Sequence, residues 1–278
     1  MDSARGTPPQ WQSLSLCPDD TVGSQMRLAL IIEYQGTNYH GFQYQSNVPS
    51  IQEALEKAII DFTGEALRVK GAGRTDAGVH AKGQVVAFDT TAAHSPATFL
   101  KALNFYLPDD VAVKQAYRVD ESFDPRRDAL RRAYRYVILN SPVPSPLLRT
   151  TTWPVRESLD VERMSEAADL LVGVHDFVRF SGPLGDDAKS TVRLISEASV
   201  DRIEDLVTFD VEGSSFLPHQ VRRMTGALVD LGRGSLDLSE FREMVGGEDN
   251  EAVAHSLGPQ GLCLMSVTYS DFPPRDGV

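Results

Sequence analysis

The tightest constraint on what this chain can fold into lies in ten residues, Gly71-Ala-Gly-Arg-Thr-Asp-Ala-Gly-Val-His80. Short apolar runs flank them, Ala66-Leu-Arg-Val69 before and Gln84-Val-Val-Ala-Phe88 after. Both runs are β-rich and bounded by turn residues, so both are read as strands and the ten residues as the loop joining them. Glycines at 71, 73 and 78 let that loop turn sharply and admit a ligand close to the backbone. It carries one cation, Arg74, and one carboxylate, Asp76. A carboxylate in a glycine-framed loop between strands is where a reacting group can be offered to a substrate. Gly-Arg-Thr-Asp also fits a tight turn in which Asp76 bonds only nearby amides. A Gly-x-Gly after a strand can open a dinucleotide site, but that pattern needs a third glycine where Asp76 stands and a helix directly after. The strand-like run at 84–88 excludes it.

Around this loop the chain alternates strands and helices. Leu28-Ala-Leu-Ile-Ile32 is a continuous apolar run and reads as a buried strand. Tyr34-Gln-Gly-Thr-Asn-Tyr-His-Gly-Phe-Gln43 follows as a loop, which serves either as packing or as a platform for stacked bases. Ser50-Ile-Gln-Glu53 is a capping box, and Ile51, Leu55, Ala58, Ile59 and Phe62 fall on one helical face after it. Ser95-Pro96 opens another helix, and Asp160 caps a third that stops at Gly173. A strand is expected from Val111 to Tyr117, and Val207-Thr-Phe-Asp-Val211 alternates cleanly. The pattern predicts an α+β class, helices packed on one face of a mixed sheet.

Composition narrows the setting. With 278 residues, 41% hydrophobic and 24% charged, the chain suits a globular protein of one large or two modest domains. No apolar run is long enough to cross a membrane, and the first residues lack an apolar signal core. Residues 1–25 read as a disordered tail and 273–278 as a second. Two cysteines, Cys17 and Cys263, exclude a disulfide framework and show no metal spacing, so no metal is expected, and the cytoplasm is the expected compartment. Net charge is −12, from 27 Lys and Arg against 39 Asp and Glu, which is awkward for contact with phosphates. The field that matters is local, however. Arg126, Arg127, Arg131, Arg132 and Arg135 crowd one stretch. Arg131-Arg-Ala-Tyr-Arg-Tyr-Val-Ile138 begins basic and ends as an alternating strand. Such a run is commonly a solvated face, yet interleaved Arg and Tyr also suit phosphates and stacked bases.

Five stretches carry a resemblance, one of them the basic-x-Tyr-x-Tyr strand Arg132-Ala-Tyr-Arg-Tyr136. Gly-Arg-Thr-Asp-Ala-Gly-Val-His at 73–80 is similar to the signature of the tRNA pseudouridine synthase A family, and the Tyr34–Gln43 loop to a second family segment. Phe216-Leu-Pro-His-Gln-Val-Arg222 resembles a third, and Gly261-Leu-Cys-Leu264 the closing strand. The likeness spans about residues 27–270. It implies the pseudouridine synthase fold: two pseudo-symmetric α+β halves, 26–122 and 123–272, with a cleft between. It implies an isomerase that converts uridine to pseudouridine at positions 38, 39 and 40 of the tRNA anticodon stem-loop, without cofactor, as a homodimer. On its motifs Asp76 is the catalytic carboxylate, Arg222 its partner, and Tyr134 rather than Tyr136 the aromatic of the site. Arg74 is expected to hold the space left by the target base, Leu262 to pack against that base, and Arg131, Arg132 and Arg135 to bind RNA. The rival is a catalytically inactive tRNA-binding protein of the same fold. Family members often carry a basic residue or His where this chain has Pro218.

Overall fold

The computed structural model describes residues 25–184, 190–246 and 253–273. The two expected tails, apart from Gln25 and Pro273, lie outside them.

Each element begins where local chemistry dictates. Strand β1 (Met26–Tyr34) is the apolar run read above, extended by two residues at each end. Helix α1 (Ile51–Thr63) starts at Ser50, whose hydroxyl accepts from Glu53 N, and stops at Gly64 in the left-handed region. The strand expected over 66–69 does not form; the short β2 (Lys70–Gly71) follows it and pairs with β3 (His80–Thr90) through Lys70 opposite Ala87. Arg68 and Val69 spend their donors on Glu56 instead. Helix α2 (Pro96–Tyr106) has Ser95 as its cap and proline in its first turn. Then follow β4 (Val111–Val119), β5 (Arg131–Asn140) and β6 (Trp153–Val155). Helix α3 (Val161–Asp169) is capped by Asp160 and precedes β7 (Gly173–Asp176), β8 (Val192–Ile203) and β9 (Leu206–Gly213). Helices α4 (Gln220–Arg233) and α5 (Leu238–Gly246) lead to the last strand, β10 (Leu262–Thr268).

The strands form one sheet in the order β4-β1-β3-β10-β5-β9-β8-β7, with β2 on β3 and β6 on β5. Neighbours in it are antiparallel except β10 with β3 and β6 with β5, which run parallel. The strand nearest the C-terminus thus lies in the middle. It pairs Cys263 with His80 on one side and Leu262 with Tyr136 on the other. Helices cover one face. Leu28, Leu30, Ile32, Val86 and Phe88 bury against α1 and α2, and Tyr136, Ile138, Phe209 and Val211 bury against α3, α4 and α5. Each such side chain contributes roughly 1.5–3 kcal/mol. The opposite face carries a smaller cluster in which Phe123, Tyr269 and Phe272 cover Ala29, Val85 and Ala87. No helix among the described residues is long and apolar enough to cross a membrane.

His80 joins the two sets of elements. Its Nδ1 accepts from Gly36 N at 3.0 Å, so Nε2 carries the proton and faces the carbonyls of Thr150 at 2.8 Å and Gln260 at 3.1 Å. A side chain on Gly36 would collide with the Val79 carbonyl, its Cβ falling 2.0 Å from that oxygen. Burial pushes the His80 imidazole below its ordinary 6.5, opposed by the two carbonyls. A depressed folded-state value means that the unfolded chain binds the proton more readily. The stability it carries is full above about pH 6.5 and is lost as pH falls toward the folded value. Urea unfolding between pH 7 and pH 5 should therefore show a steeper fall in wild type than in His80→Gln, by up to about 1.4 kcal/mol per pH unit. Parallel slopes would contradict this.

Candidate active site

The loop after β2 is held from every side by backbone and buried side chains. Thr75 is buried, and its hydroxyl pairs with that of Tyr34 at 2.8 Å. Phe42 N donates to Thr75 O, Gly78 N to Tyr39 O, and Gln84 Nε2 to Gly73 O. The Tyr39 hydroxyl anchors on Asp110 at 2.5 Å. Gly41 sits at φ 98°, where a side chain would also meet Thr75 O at 2.8 Å. Tyr34, Tyr39 and Phe42 are all buried. The aromatic loop at 34–43 therefore packs beneath the Asp76 loop and fixes its shape, and its tyrosine and phenylalanine rings are not exposed for stacking.

Asp76 itself stays partly open, with its side chain 35% exposed. Arg222, in the first turn of α4, reaches its Oδ2 with Nη1 at 3.3 Å. The guanidinium is aimed by its Nε, which donates to Leu257 O at 2.7 Å. Residues 146 apart in sequence thus meet, one from the loop before β3 and one from α4. His219 Nε2 stands 3.5 Å from the same Oδ2. Among the described residues no hydrogen bond reaches Oδ1.

Asp76 and His219 border a cavity of about 750 Å³, which Arg222 meets only through Asp76 and whose walls also include Arg74, Arg126, Arg132, Tyr134, Arg193, Phe216 and Leu262. Tyr134 projects from β5 beside Leu262 and meets Phe216 edge to face at 5.2 Å between ring centres. Burial pushes its hydroxyl up to about 12, Arg132 pulls it down, and Asp76 raises it further. It is a neutral donor or a stacking face at neutral pH, not a base. Tyr136 is wholly buried and gives its hydroxyl to Gly258 O at 2.6 Å, so it belongs to the core, as expected.

The arginines separate. Arg74 is exposed and lines both this cavity and a neighbouring one of about 330 Å³ that also holds Lys70, Arg126 and Arg127. Arg132 lines the cleft, but its guanidinium donates to four carbonyls, those of Ala72, Arg126, Ala129 and Ser214. It fastens the wall. Arg131 and Arg135 alternate with Tyr134 along β5 and are not brought to the cleft. Each is paired away, Arg131 with Glu212 at 2.9 Å and Arg135 with Asp210 at 2.8 Å. The reason is the two-residue period of a strand. Arg126, Arg193 and His219 were not singled out from sequence. Arg126 stood in the basic run, His219 in the third motif, and Arg193 in a strand with no distinguishing signal. Among the described residues Arg74, Arg126 and Arg193 have no ion-pair partner. The cleft therefore concentrates unneutralised cations in a chain of net charge −12.

A carboxylate held by an arginine, an aromatic face and a cluster of cations define an enzyme site for a planar, anionic substrate. The sequence agrees with that class. Residues 30–126 and 167–270 match the family described as tRNA pseudouridine synthase. Over 249 residues the chain is 44% identical to tRNA pseudouridine synthase A of Myxococcus xanthus, covering 89% of this chain and 94% of that protein. It is 43% identical to the protein of the same name from Geotalea daltonii over 242 residues, 87% of this chain and 99% of the relative. For the Acetivibrio thermocellus protein the figures are 41%, 86% and 98%. The chain belongs to the tRNA pseudouridine synthase family, whose members are isomerases, and has that family's α+β fold.

The contact of Arg222 with Asp76 is a graded test of the site. Lysine keeps the charge without the planar fork, and methionine keeps neither. Single-turnover rates should fall in the order wild type, Arg222→Lys, Arg222→Met, with the last about 10²–10³-fold below the first. Equal rates in wild type and Arg222→Met would mean that the pair plays no part in the reaction.

Proposed function

We propose that this chain isomerises uridine to pseudouridine at positions 38, 39 and 40 of the tRNA anticodon stem-loop, with Asp76 as the reacting carboxylate. The observation that carries this reading is the convergence of Asp76, Arg222 and Tyr134 on one cation-lined cleft. In this reading residues 26–122 are the half that brings the carboxylate and 123–272 the half that brings its arginine. The working form is a homodimer in the cytoplasm, as the family resemblance implies.

The target nucleotide leaves the stack to reach the carboxylate, which costs a few kcal/mol. Arg74, exposed at the mouth of the cleft, holds the vacated space. Tyr134 stacks on the uracil, and Leu262 supports its other edge. Asp76 acts at the sugar or the base while Arg222 keeps it charged and oriented. The C1′–N1 bond breaks, the uracil turns, and a C1′–C5 bond forms. The C5 proton is released to solvent, and N1 takes one up. Nothing is oxidised or reduced.

Because C5 loses its hydrogen, tRNA transcripts labelled with tritium at uridine C5 report the reaction. Wild type should release tritium from transcripts with uridines at 38–40 and not from those in which these uridines are replaced. Asp76→Asn should abolish release while holding tRNA affinity within a few-fold, since phosphates supply most of the binding. Binding with no release by wild type would leave an inactive tRNA-binding protein.

Affinity should fall steeply with salt in spite of the overall negative charge. Arg126→Glu or Arg193→Glu, in the cleft, should weaken binding at least tenfold at moderate salt. Arg135→Glu, on the far face of β5, should change it less than threefold. The reverse pattern would put the RNA on the other face of the sheet.

A further inference from the structure

The segment that delivers Arg222 contains a second group that the reading above leaves idle. His219 is the residue preceding α4, and its backbone lies at φ 60°, ψ 5°. Only one other non-glycine among the described residues has a positive φ, Glu204 in the turn between β8 and β9. The left-handed region is uncommon for any residue with a Cβ, although histidine enters it more readily than most, and glycine would serve the turn at lower cost. Histidine at this position also gives α4 no side-chain cap.

The strained conformation is enforced from both sides. Leu217 N donates to the Gln220 side chain at 2.7 Å, and Gln220 N returns to Leu217 O at 3.1 Å. Gly182 N donates to Pro218 O at 2.7 Å, and Arg223 N donates to His219 O at 3.0 Å. Gly182 also passes under the imidazole so closely that a Cβ there would lie 3.1 Å from Nδ1. With Nδ1 backed by that glycine, the ring is left with Nε2 pointing at Asp76, 3.5 Å from Oδ2. Strain that persists because surrounding bonds over-determine it, beside a reacting group, motivates a functional role.

We propose that His219 is a positioning residue for Asp76. Its Nε2 and the Arg222 guanidinium both approach Oδ2, the first from the residue before α4 and the second from the first turn of that helix, three residues on. Two donors on one oxygen fix the rotation of the carboxylate about its last bond and leave Oδ1 for the substrate. Arg222 alone, through one nitrogen at 3.3 Å, would leave that rotation free. The 3.5 Å spacing closes to a hydrogen bond on a shift of a few tenths of an ångström, as active-site contacts do when substrate fills the cleft. The proposal rests on Asp76 being the reacting carboxylate.

Glycine and glutamine separate this role from a structural one. His219→Gly relieves the backbone and should melt at or above the wild-type temperature. It should nevertheless react about 10–100-fold more slowly in single turnover at saturating tRNA, the cost of a misplaced reacting group. His219→Gln places an amide Nε2 where the imidazole Nε2 stood and should recover rate to within about tenfold of wild type, while tRNA affinity stays within threefold for both variants. A wild-type rate in His219→Gly overturns the proposal, as does a loss confined to affinity, or equal rates in the glycine and glutamine variants. Asp76→Asn is measured alongside. Activity in it removes the premise, whereas an inactive Asp76→Asn beside a fully active His219→Gly removes only the role of His219.

Discussion

The structure depends on β10 lying between β3 and β5. That strand is drawn from the end of the chain, yet it runs parallel to the strand that begins at His80 and antiparallel to the strand that carries Tyr134. Its apolar side chains Leu262 and Leu264 face the helices, and its backbone satisfies both neighbours. Without it, β3 and β5 would each present an open edge, and the two helix-covered clusters would be joined only through the chain. With it, the loop that ends at His80 is held one strand away from the strand that presents Tyr134 and next to Leu262 itself. The meeting of Asp76 with Arg222 follows from this register rather than from any local feature of either segment.

Around that junction the charges are sorted by face. The strand period turns Arg131 and Arg135 outward, where Glu212 and Asp210 neutralise them. The same period turns Arg132 and Tyr134 inward. Arg132 is consumed by four carbonyls, which leaves Arg74 and Arg126 as the cleft cations with no side-chain hydrogen bond among the described residues, beside Arg193, which gives Nη1 to the carbonyls of Ser190 and Val192 but has no ion-pair partner among them. An acidic chain can thus present a basic cleft, because neutralised arginines elsewhere do not dilute it. Beneath the cleft, Tyr34, Tyr39 and Phe42 give rigidity: their rings pack in the core while Tyr34 and the Phe42 backbone bond Thr75, the residue before Asp76.

Much of this was legible in the sequence, and what was not has physical reasons. Caps at Ser50, Ser95 and Asp160 announce themselves because side chain and orphan amide are close neighbours. The motifs at 73–80 and 216–222 named Asp76 and Arg222 as candidates, and Tyr136 could be assigned to the core. The run at 66–69 misled because β-propensity does not reveal whether a partner strand is in reach, and Glu56 captures those donors first. The aromatic loop was ambiguous because the same residues stack on bases or bury under a loop, and only tertiary packing decides. The sidedness of Arg131 and Arg135 was latent in the period of β5 once Tyr134 faced the site. His219 stood inside the third motif, but its conformation left no signal: nothing in a sequence marks a non-glycine residue forced into the left-handed region by its neighbours.

The central claim is that the two sets of elements converge to present one oxygen of Asp76 to a uridine removed from its stack. The most direct measurement is a crystal structure of the protein with an anticodon stem-loop RNA carrying 5-fluorouridine, whose C5 cannot release a proton. The account predicts the extruded pyrimidine against Tyr134 and Leu262, its reacting carbon bonded to Oδ1 of Asp76 or about 3–3.5 Å from it, and Oδ2 still held by Arg222. A target base that remains stacked, or lies in the cavity behind β5 near Arg135, or approaches another carboxylate, would contradict it.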